Sequence, residues 1–232
     1  MTRIGIISDI HAHLEGLNLA LAFLEEQAVD EIWCAGDLVD RGEDGNDVVQ
    51  RIRYAQIPTV QGNHDYTARR TQEQFKHDMT MMEFLEEYPD VSDHTKHMLF
   101  SFELSEINLT YLDYLPPSLK FERGDLVIEM THASTFDRVT YIYPTSRRDI
   151  LNQTIDSSIA DLVILGHTHR PMKIYRDGVL RVINSGSVYM NYGMPTQSCG
   201  ILTLPEREFT VYDLETKKAA PVPIVQLESK QS

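Results

Sequence analysis

The sequence predicts an α/β fold built on a mostly parallel sheet, and two patterns carry that prediction. Short runs rich in Ile, Val and Leu, such as Ile4 to Ile7 and Leu162 to Leu165, have the near-continuous apolar character of parallel strands covered on both faces. Between such runs the apolar residues recur at helical spacing. Residues 3–8 read as a first strand, and Leu17, Ala20, Leu21, Leu24 and Ala28 mark the helix that follows. Residues 31–35 form a second strand, Val48, Val49 and Ile52 give a helix face within 45–55, and residues 57–61 form a third strand. Successive β-α-β units need crossover connections and build a parallel layer, with ligands in the crevice at the carboxyl ends of the strands.

From residue 67 to about 123 the period turns helical. Phe75, Met79, Met82 and Leu85 share one face, and Leu104, Ile107, Tyr111, Leu112 and Leu115 share another. Ser105 suits an N-cap, and Pro116-Pro117 stops the second helix. Met79, Met81, Met82 and Met98 read either as packing between these helices or as an adaptable apolar wall beside a ligand. The sheet resumes at residues 126–131, and a helix over 145–155 leads into 162–165. Four short strands follow, at 172–175, 180–183, 199–204 and 208–212, with Asp177-Gly178 as a hairpin turn. The tail from Pro221 reads as a loose strand or disorder. One domain spanning 1–232, with a helical cap-like insertion at about 67–123, accounts for the pattern.

The composition limits the function classes. A chain of 232 residues with 42% hydrophobic content can bury a sizeable core. Lys and Arg number 21 against 35 Asp and Glu, so the net charge of −14 argues against long nucleic acid as a partner. Bound cations lie outside that count, so a small phosphoester can still meet a locally positive site. Cys34 and Cys199 lie far apart in apolar contexts and read as buried free thiols. Met1-Thr2-Arg3 runs straight into the first strand and no apolar stretch is long enough to span a bilayer, so a soluble cytoplasmic protein without a leader is expected.

Five short motifs stand at the ends of the predicted strands: Asp9-Ile10-His11, Gly36-Asp37 running to Asp40-Arg41-Gly42, Gly62-Asn63-His64-Asp65, Thr131-His132, and Gly166-His167-Thr168-His169. Asp, His and Asn suit hard-to-borderline divalent cations, and a rigid sheet that gathers sequence-distant donors prepositions them. One Asp-x-His carries little weight. The i, i+2 histidines of an extended Gly-His-Thr-His fall on one side and carry more. Together the five read as a two-metal phosphoester hydrolysis site.

On these motifs the sequence resembles the calcineurin-like metallophosphoesterase family from Ile4 to about Val188. The resemblance implies a four-layer α-β-β-α sandwich of mixed sheets flanked by helices. It also implies a first metal held by Asp9, His11, Asp37 and His169 and a second held by Asp37, Asn63, His132 and His167. A shared carboxylate such as Asp37 lets two dications approach to ~3.5–4 Å. Mn is the first expectation, with Fe, Zn, Ni or Mg as alternatives. The implied chemistry is in-line attack of hydroxide on phosphorus, with Asn63 stabilising charge and His64 protonating the leaving alkoxide. Asp40 is the better orienting partner of His64, with Asp65 an adjacent candidate, and Arg41 reads either as a bidentate contact to the phosphate or as a surface salt bridge.

A phosphodiesterase or nucleotide hydrolase on small substrates is the leading reading. A phosphomonoesterase, including a Ser/Thr protein phosphatase, is the runner-up because of Asp40-Arg41-Gly42, and a non-catalytic metal-binding scaffold is a distant third. His13 stands where relatives carry Asn or Gln and reads as an exposed or rim residue. His77, His94 and His97 read as ordinary surface residues, and Asn184 to Val188 as support for the His167/His169 loop. A homo-oligomer is left open.

Overall fold

Along the first strand, β1 (Thr2–Ile7), Ile4 and Ile6 pack toward one layer and Ile7 toward another, as a period of two requires. The computed structural model describes residues 1–75, 104–190 and 197–229, together with positions 83, 86 and 89. After β1 come α1 (Leu14–Glu26), β2 (Glu31–Cys34), α2 (Gly45–Tyr54), α3 (Asn63–Phe75) and α4 (Glu106–Asp113). The second half runs β3 (Ser118–Arg123), β4 (Leu126–Thr131), α5 (Arg148–Asp156), β5 (Leu162–Leu165), β6 (Met172–Arg176) and β7 (Val179–Asn184). It closes with β8 (Ser198–Leu204), β9 (Glu208–Asp213) and β10 (Ile224–Leu227).

The strands form two mixed sheets, in the orders β2-β1-β8-β9 and β10-β6-β7-β5-β4-β3. Between them lies a core of Ile4, Ile6, Trp33, Ile128, Met130, Leu162, Ile164 and Ile183. The other face of the first sheet packs Ile7 and Cys34 against Leu17, Leu24, Val49 and Leu112 of the helices. The other face of the second packs Val163, Leu165 and Val182 against Leu151 and Ile155 of α5. Helix, sheet, sheet, helix is the four-layer architecture expected. Trp33 stacks on Phe121 across the inter-sheet space with ring centroids 3.7 Å apart, and Arg123 reaches from β3 to both carboxylate oxygens of Glu31 on β2. Among the described residues no helix is long and apolar enough to cross a membrane.

The mostly parallel layer gives way to mixed sheets because β8 and β9, then β6 and β7, return as antiparallel partners. The third strand expected at 57–61 reduces to one bridge between Cys34 and Thr59. Pro58 has no N–H, and the Gln61 N–H turns away to the Pro116 carbonyl, so the ladder cannot extend. The helical pattern read through to about residue 123 stops at Asp113. After Pro116-Pro117 the chain forms β3, an edge strand paired antiparallel with β4. The helix expected from 145 begins at Arg148, and the tail forms β10, parallel to β6. Within α4, Leu109 and Leu112 are buried while Ile107 faces solvent. Phe75's side chain, Met79, Met81, Met82, Leu85, Met98, His77, His94 and His97 lie outside the described residues.

Helices α1 and α2 end alike. Ala28 and Gln56 take positive φ (49° and 53°), with N–H bonds to Glu25 and Arg53, while Val29 and Ile57 bond back to Leu24 and Ile52. This paired closure normally carries glycine. A left-handed L-residue costs about 1–2 kcal/mol, partly offset by glycine's greater unfolded-state entropy. Gln56→Gly should therefore raise stability by about 0.5–1 kcal/mol in urea unfolding, and a loss of stability would contradict this account of the helix end.

Candidate active site

The loops that leave β1 and β2 are held together by backbone bonds, and the loop after β5 joins them through the His167 N–H on the Asp9 carboxylate. The N–H groups of Asp9, Ile10, His11 and Ala12 donate to the carbonyls of Gly36, Asp37, Asp37 and Leu38 at 2.8 to 3.0 Å. Asp9, His11, Ala12, Asp37, Asp40, Arg41, His167 and His169 all have positive φ, between 49° and 72°. Such backbone is costly for L-residues and persists where the surroundings over-determine it, as they do at functional sites. Close approach adds to the constraint. A Cβ on Gly62 would lie 2.0 Å from an Asp37 carboxylate oxygen, and one on Gly166 would lie 2.1 Å from Ser8 Oγ.

Asp65 ties these loops. Its fully buried carboxylate accepts the N–H groups of Asp37 (2.9 Å), Leu38 (2.8 Å) and Gly62 (2.9 Å). Burial, then the Asp37 charge, lifts its pKa to about 6 against the pull of those donors. Asp65 is therefore an anchor of backbone and not the partner of His64, the alternative that its sequence adjacency offered. That partner is Asp40, whose Oδ2 accepts the His64 Nδ1 proton at 2.6 Å.

The donor atoms converge in overlapping groups. Asp9, His11 and His169 bring ligand atoms together, as do Asp37, His132 and His167, and a third grouping joins Asp37 to His11 and His64. His132 Nε2 is 3.1 Å from Asp37 Oδ2 and 3.1 Å from Asn63 Oδ1, and His169 Nε2 is 3.3 Å from Asp9 Oδ1. The imidazoles are oriented from behind. Nδ1 of His11, His132 and His169 faces the carbonyls of Val39, Ala35 and Met190, at 3.2, 2.7 and 2.8 Å. His167 is reversed, with Nε2 on the Val139 carbonyl at 3.2 Å, so Nδ1 is its remaining donor. Backbone carbonyls that hold the far nitrogen fix tautomer and direction, as around metal-binding histidines.

This arrangement fits cations. The His11 and His169 Nε2 atoms face each other at 2.9 Å while both Nδ1 protons are committed elsewhere, so two lone pairs meet where a cation would satisfy both. The electrostatics agree. Burial opposes ionisation of Asp9, yet His169 and His132 bring it down to about 2. Burial likewise opposes Asp37, and His132, His64 and His11 hold it well below the usual carboxylate range. Burial would deprotonate His132, but Asp37 and Asp9 push it up to about 10, so the carboxylates draw positive charge to this point. Burial lowers His11 well below its usual value, and burial with the His132 charge lowers His167 to about 4, which leaves both in the neutral form that can coordinate.

All ten residues singled out from the sequence lie at this crevice or on its edge, Arg41 near enough for its charge to act on His64. His13 is half-buried and turned to its own helix. Its Nδ1 caps α1 by accepting the Gly16 N–H at 3.2 Å and lies 3.1 Å from Gln197 Nε2. Asn184 Nδ2 donates to the Gly166 carbonyl at 2.7 Å, so the 184–188 turn does brace the histidine loop. Sequence reasoning missed Ser8, whose hydroxyl donates to Asp9 at 2.6 Å, and the 133–147 loop, which brings the Val139 carbonyl and the Tyr141 ring to His167. The loop carries no motif, and only its two tyrosines flanking an isoleucine could have marked it.

A four-layer sandwich whose strand-end loops gather buried carboxylates and imidazoles of this kind defines a metallohydrolase of the phosphoesterase class. The chain belongs to the calcineurin-like phosphoesterase superfamily, whose domain model matches residues 2–207. It is similar to an uncharacterised protein, MJ0912, of Methanocaldococcus jannaschii, at 27% identity over 82% of this chain and 71% of the relative. It is also similar to phosphodiesterase MJ0936 of the same organism, at 25% identity over 92% of this chain and 99% of the relative. Among solved structures, a metallophosphoesterase from Sphaerobacter thermophilus aligns with a TM-score of 0.69 at 25% identity, covering 91% of this chain and 87% of that one.

Asp65→Ala would strip three buried backbone N–H groups of their acceptor. It should cost about 3 kcal/mol or more in urea unfolding, with Asp65→Asn losing less because one oxygen remains. A neutral Asp65→Ala would remove Asp65 as the tie between the loops.

Proposed function

We propose that this chain is a dinuclear metal-dependent phosphoester hydrolase acting on small phosphodiesters or nucleotides. The observation that supports this most directly is the position of Asp37, grouped with His11 on one side and with His132 and His167 on the other. Asp9, His11, Asp37 and His169 would hold one cation, and Asp37, Asn63, His132 and His167 the second. Bound there, the cations would supply Lewis acidity and a water acidified toward neutral pH. Mn fits this oxygen and nitrogen donor set, as Fe, Zn, Ni and Mg also do.

The remaining roles follow from the side chains. Asp40 holds His64 through Nδ1 and leaves Nε2 to donate a proton to the departing alkoxide. Asn63 contributes its amide toward the phosphoryl oxygens, and Arg41 offers a guanidinium to the phosphate. The cover expected at about 67–123 does not fall on its described parts, since 118–123 form β3 and α4 packs Leu109 and Leu112 on the outer face of the first sheet. Arg69 of α3 joins that layer to Glu106 and Asp113 of α4. The acidic surface favours small substrates over long nucleic acid. Buried free Cys34 and Cys199 suit a reducing compartment such as the cytoplasm.

Removal of metal with a chelator should lower hydrolysis of bis(p-nitrophenyl) phosphate by about 100-fold or more, and Mn²⁺ should restore it. A folded, metal-loaded protein inert toward diesters, nucleotides and monoesters alike would overturn the proposal.

The pH profile tests the proton donor. Burial alone would lower His64, but the Asp37 charge and the hydrogen bond and charge of Asp40 outweigh it and hold the imidazole above its ordinary value. A general acid acts while protonated, so kcat/KM should persist above the ordinary imidazole range and fall as pH rises through the raised value. Asp40→Asn should move that alkaline limb to lower pH and cut kcat/KM about tenfold on the alkaline side. A limb that stays in place would remove the His64-Asp40 pair from proton transfer.

A further inference from the structure

Beside the donor cluster lies an ordered run of aromatic rings that the chemistry above does not use. Tyr141 stacks on His167 with centroids 3.9 Å apart and planes 29° apart, and Tyr143 lies nearly parallel to Tyr141, 5.7 Å away at 9°. Tyr141 is 50% exposed, which is unusual for an aromatic ring stacked on a residue that is itself almost covered.

The run is built rather than accidental. Ile142, between the two tyrosines, is fully buried in the core under α5 and anchors the segment, while Tyr141 is exposed and Tyr143 half-buried. On the approach, the Asp137 carboxylate accepts the N–H groups of Val139 and Thr140 at 2.9 and 2.7 Å. That turn also presents the Val139 carbonyl to His167. At the far end the Arg170 guanidinium stands 5.3 Å from the Tyr143 ring centroid. The edge of the site therefore carries flat π faces that begin at a proposed ligand and end at a positive charge.

We infer that Tyr141 and Tyr143 form a nucleobase subsite, so that the substrate class is a nucleotide ester whose base lies on these rings while its phosphate meets the donor cluster. This rests on the proposed phosphoester hydrolysis at that cluster. A flat heteroaromatic group a few bonds from phosphorus is the ligand such a surface recognises, because every base offers a π face and stacking needs no sequence code. Arg170 adds a cation suited to a further phosphate or to the acceptor edge of the base.

Titration of the Mn-loaded protein with AMP and with ribose 5-phosphate isolates the base, since the two ligands share sugar and phosphate. The native protein should bind AMP about 5- to 150-fold more tightly, the range that stacking of one base supplies. Tyr141→Ala should bring the two affinities to within about twofold, and Tyr141→Phe should keep the preference. Equal affinities in the native protein, no measurable AMP binding, or a preference that survives Tyr141→Ala would each overturn the subsite. The native comparison needs no variant to fold. Turnover of bis(p-nitrophenyl) phosphate by the same preparation reads the underlying activity separately. An inert protein that still prefers AMP refutes hydrolysis alone, and an active one without the preference refutes the subsite alone.

Discussion

Three backbone N–H groups on one buried carboxylate set the geometry on which the rest of the site depends. Asp65 joins the turn after β2, which carries Asp37, to the turn before α3. From Asp37 the order spreads outward. Its carbonyl accepts the N–H groups of Ile10 and His11, its carboxylate accepts the His64 N–H at 2.9 Å, and its Oδ2 faces His132. The carboxylate acceptors, Asp65 and Asp37 Oδ1, make their bonds stronger in a low-dielectric interior than a neutral acceptor would, and loss of Asp65 would leave three donors stranded together.

The second constraint is steric. Eight chemistry-bearing or adjacent residues adopt left-handed backbone, and Gly62 and Gly166 press against Asp37 and Ser8. The fold opposes that strain with two sheets whose shared core is almost fully buried and with helices on both outer faces. His167 shows how the sheets meet at the site. It follows β5 in the six-stranded sheet, yet its N–H donates to both oxygens of Asp9, at the end of β1 in the other sheet.

Much of this was legible in the residues. Motifs at strand ends announce themselves through residue type and spacing, and Asp9, His11, Asp37, Asn63, His64, His132, His167 and His169 do converge. The burial of the Ile4 to Ile7 run on both faces was legible too, because a near-continuous apolar strand is a local signal. What could not be read depended on partners distant in sequence. Asp65 looks like an acid beside a histidine, and only the folded chain reveals that it serves the backbone of residues 37, 38 and 62. β3 hid because a half-exposed edge strand of six residues after a helix carries a weak period, and the 57–61 strand failed because Pro58 cannot continue a ladder. Tyr141 was passed over as a site residue, since the Tyr-Ile-Tyr run is a weak local signal and its approach to His167 is a contact distant in sequence.

The interdigitation of the two sheets has a consequence for how the protein is made. Asp9 emerges from the ribosome early, but its partners His167 and His169 follow 158 and 160 residues later, and the carbonyl that aims His169 belongs to Met190. A nascent chain therefore has no complete set of donors until residue 190 has been synthesised. Non-local pairing of this kind is slow and comes late in folding. Cation capture by the full donor set would therefore wait for the loop that carries His167 and His169, and until then the carboxylates of the first sheet would be bare ligands.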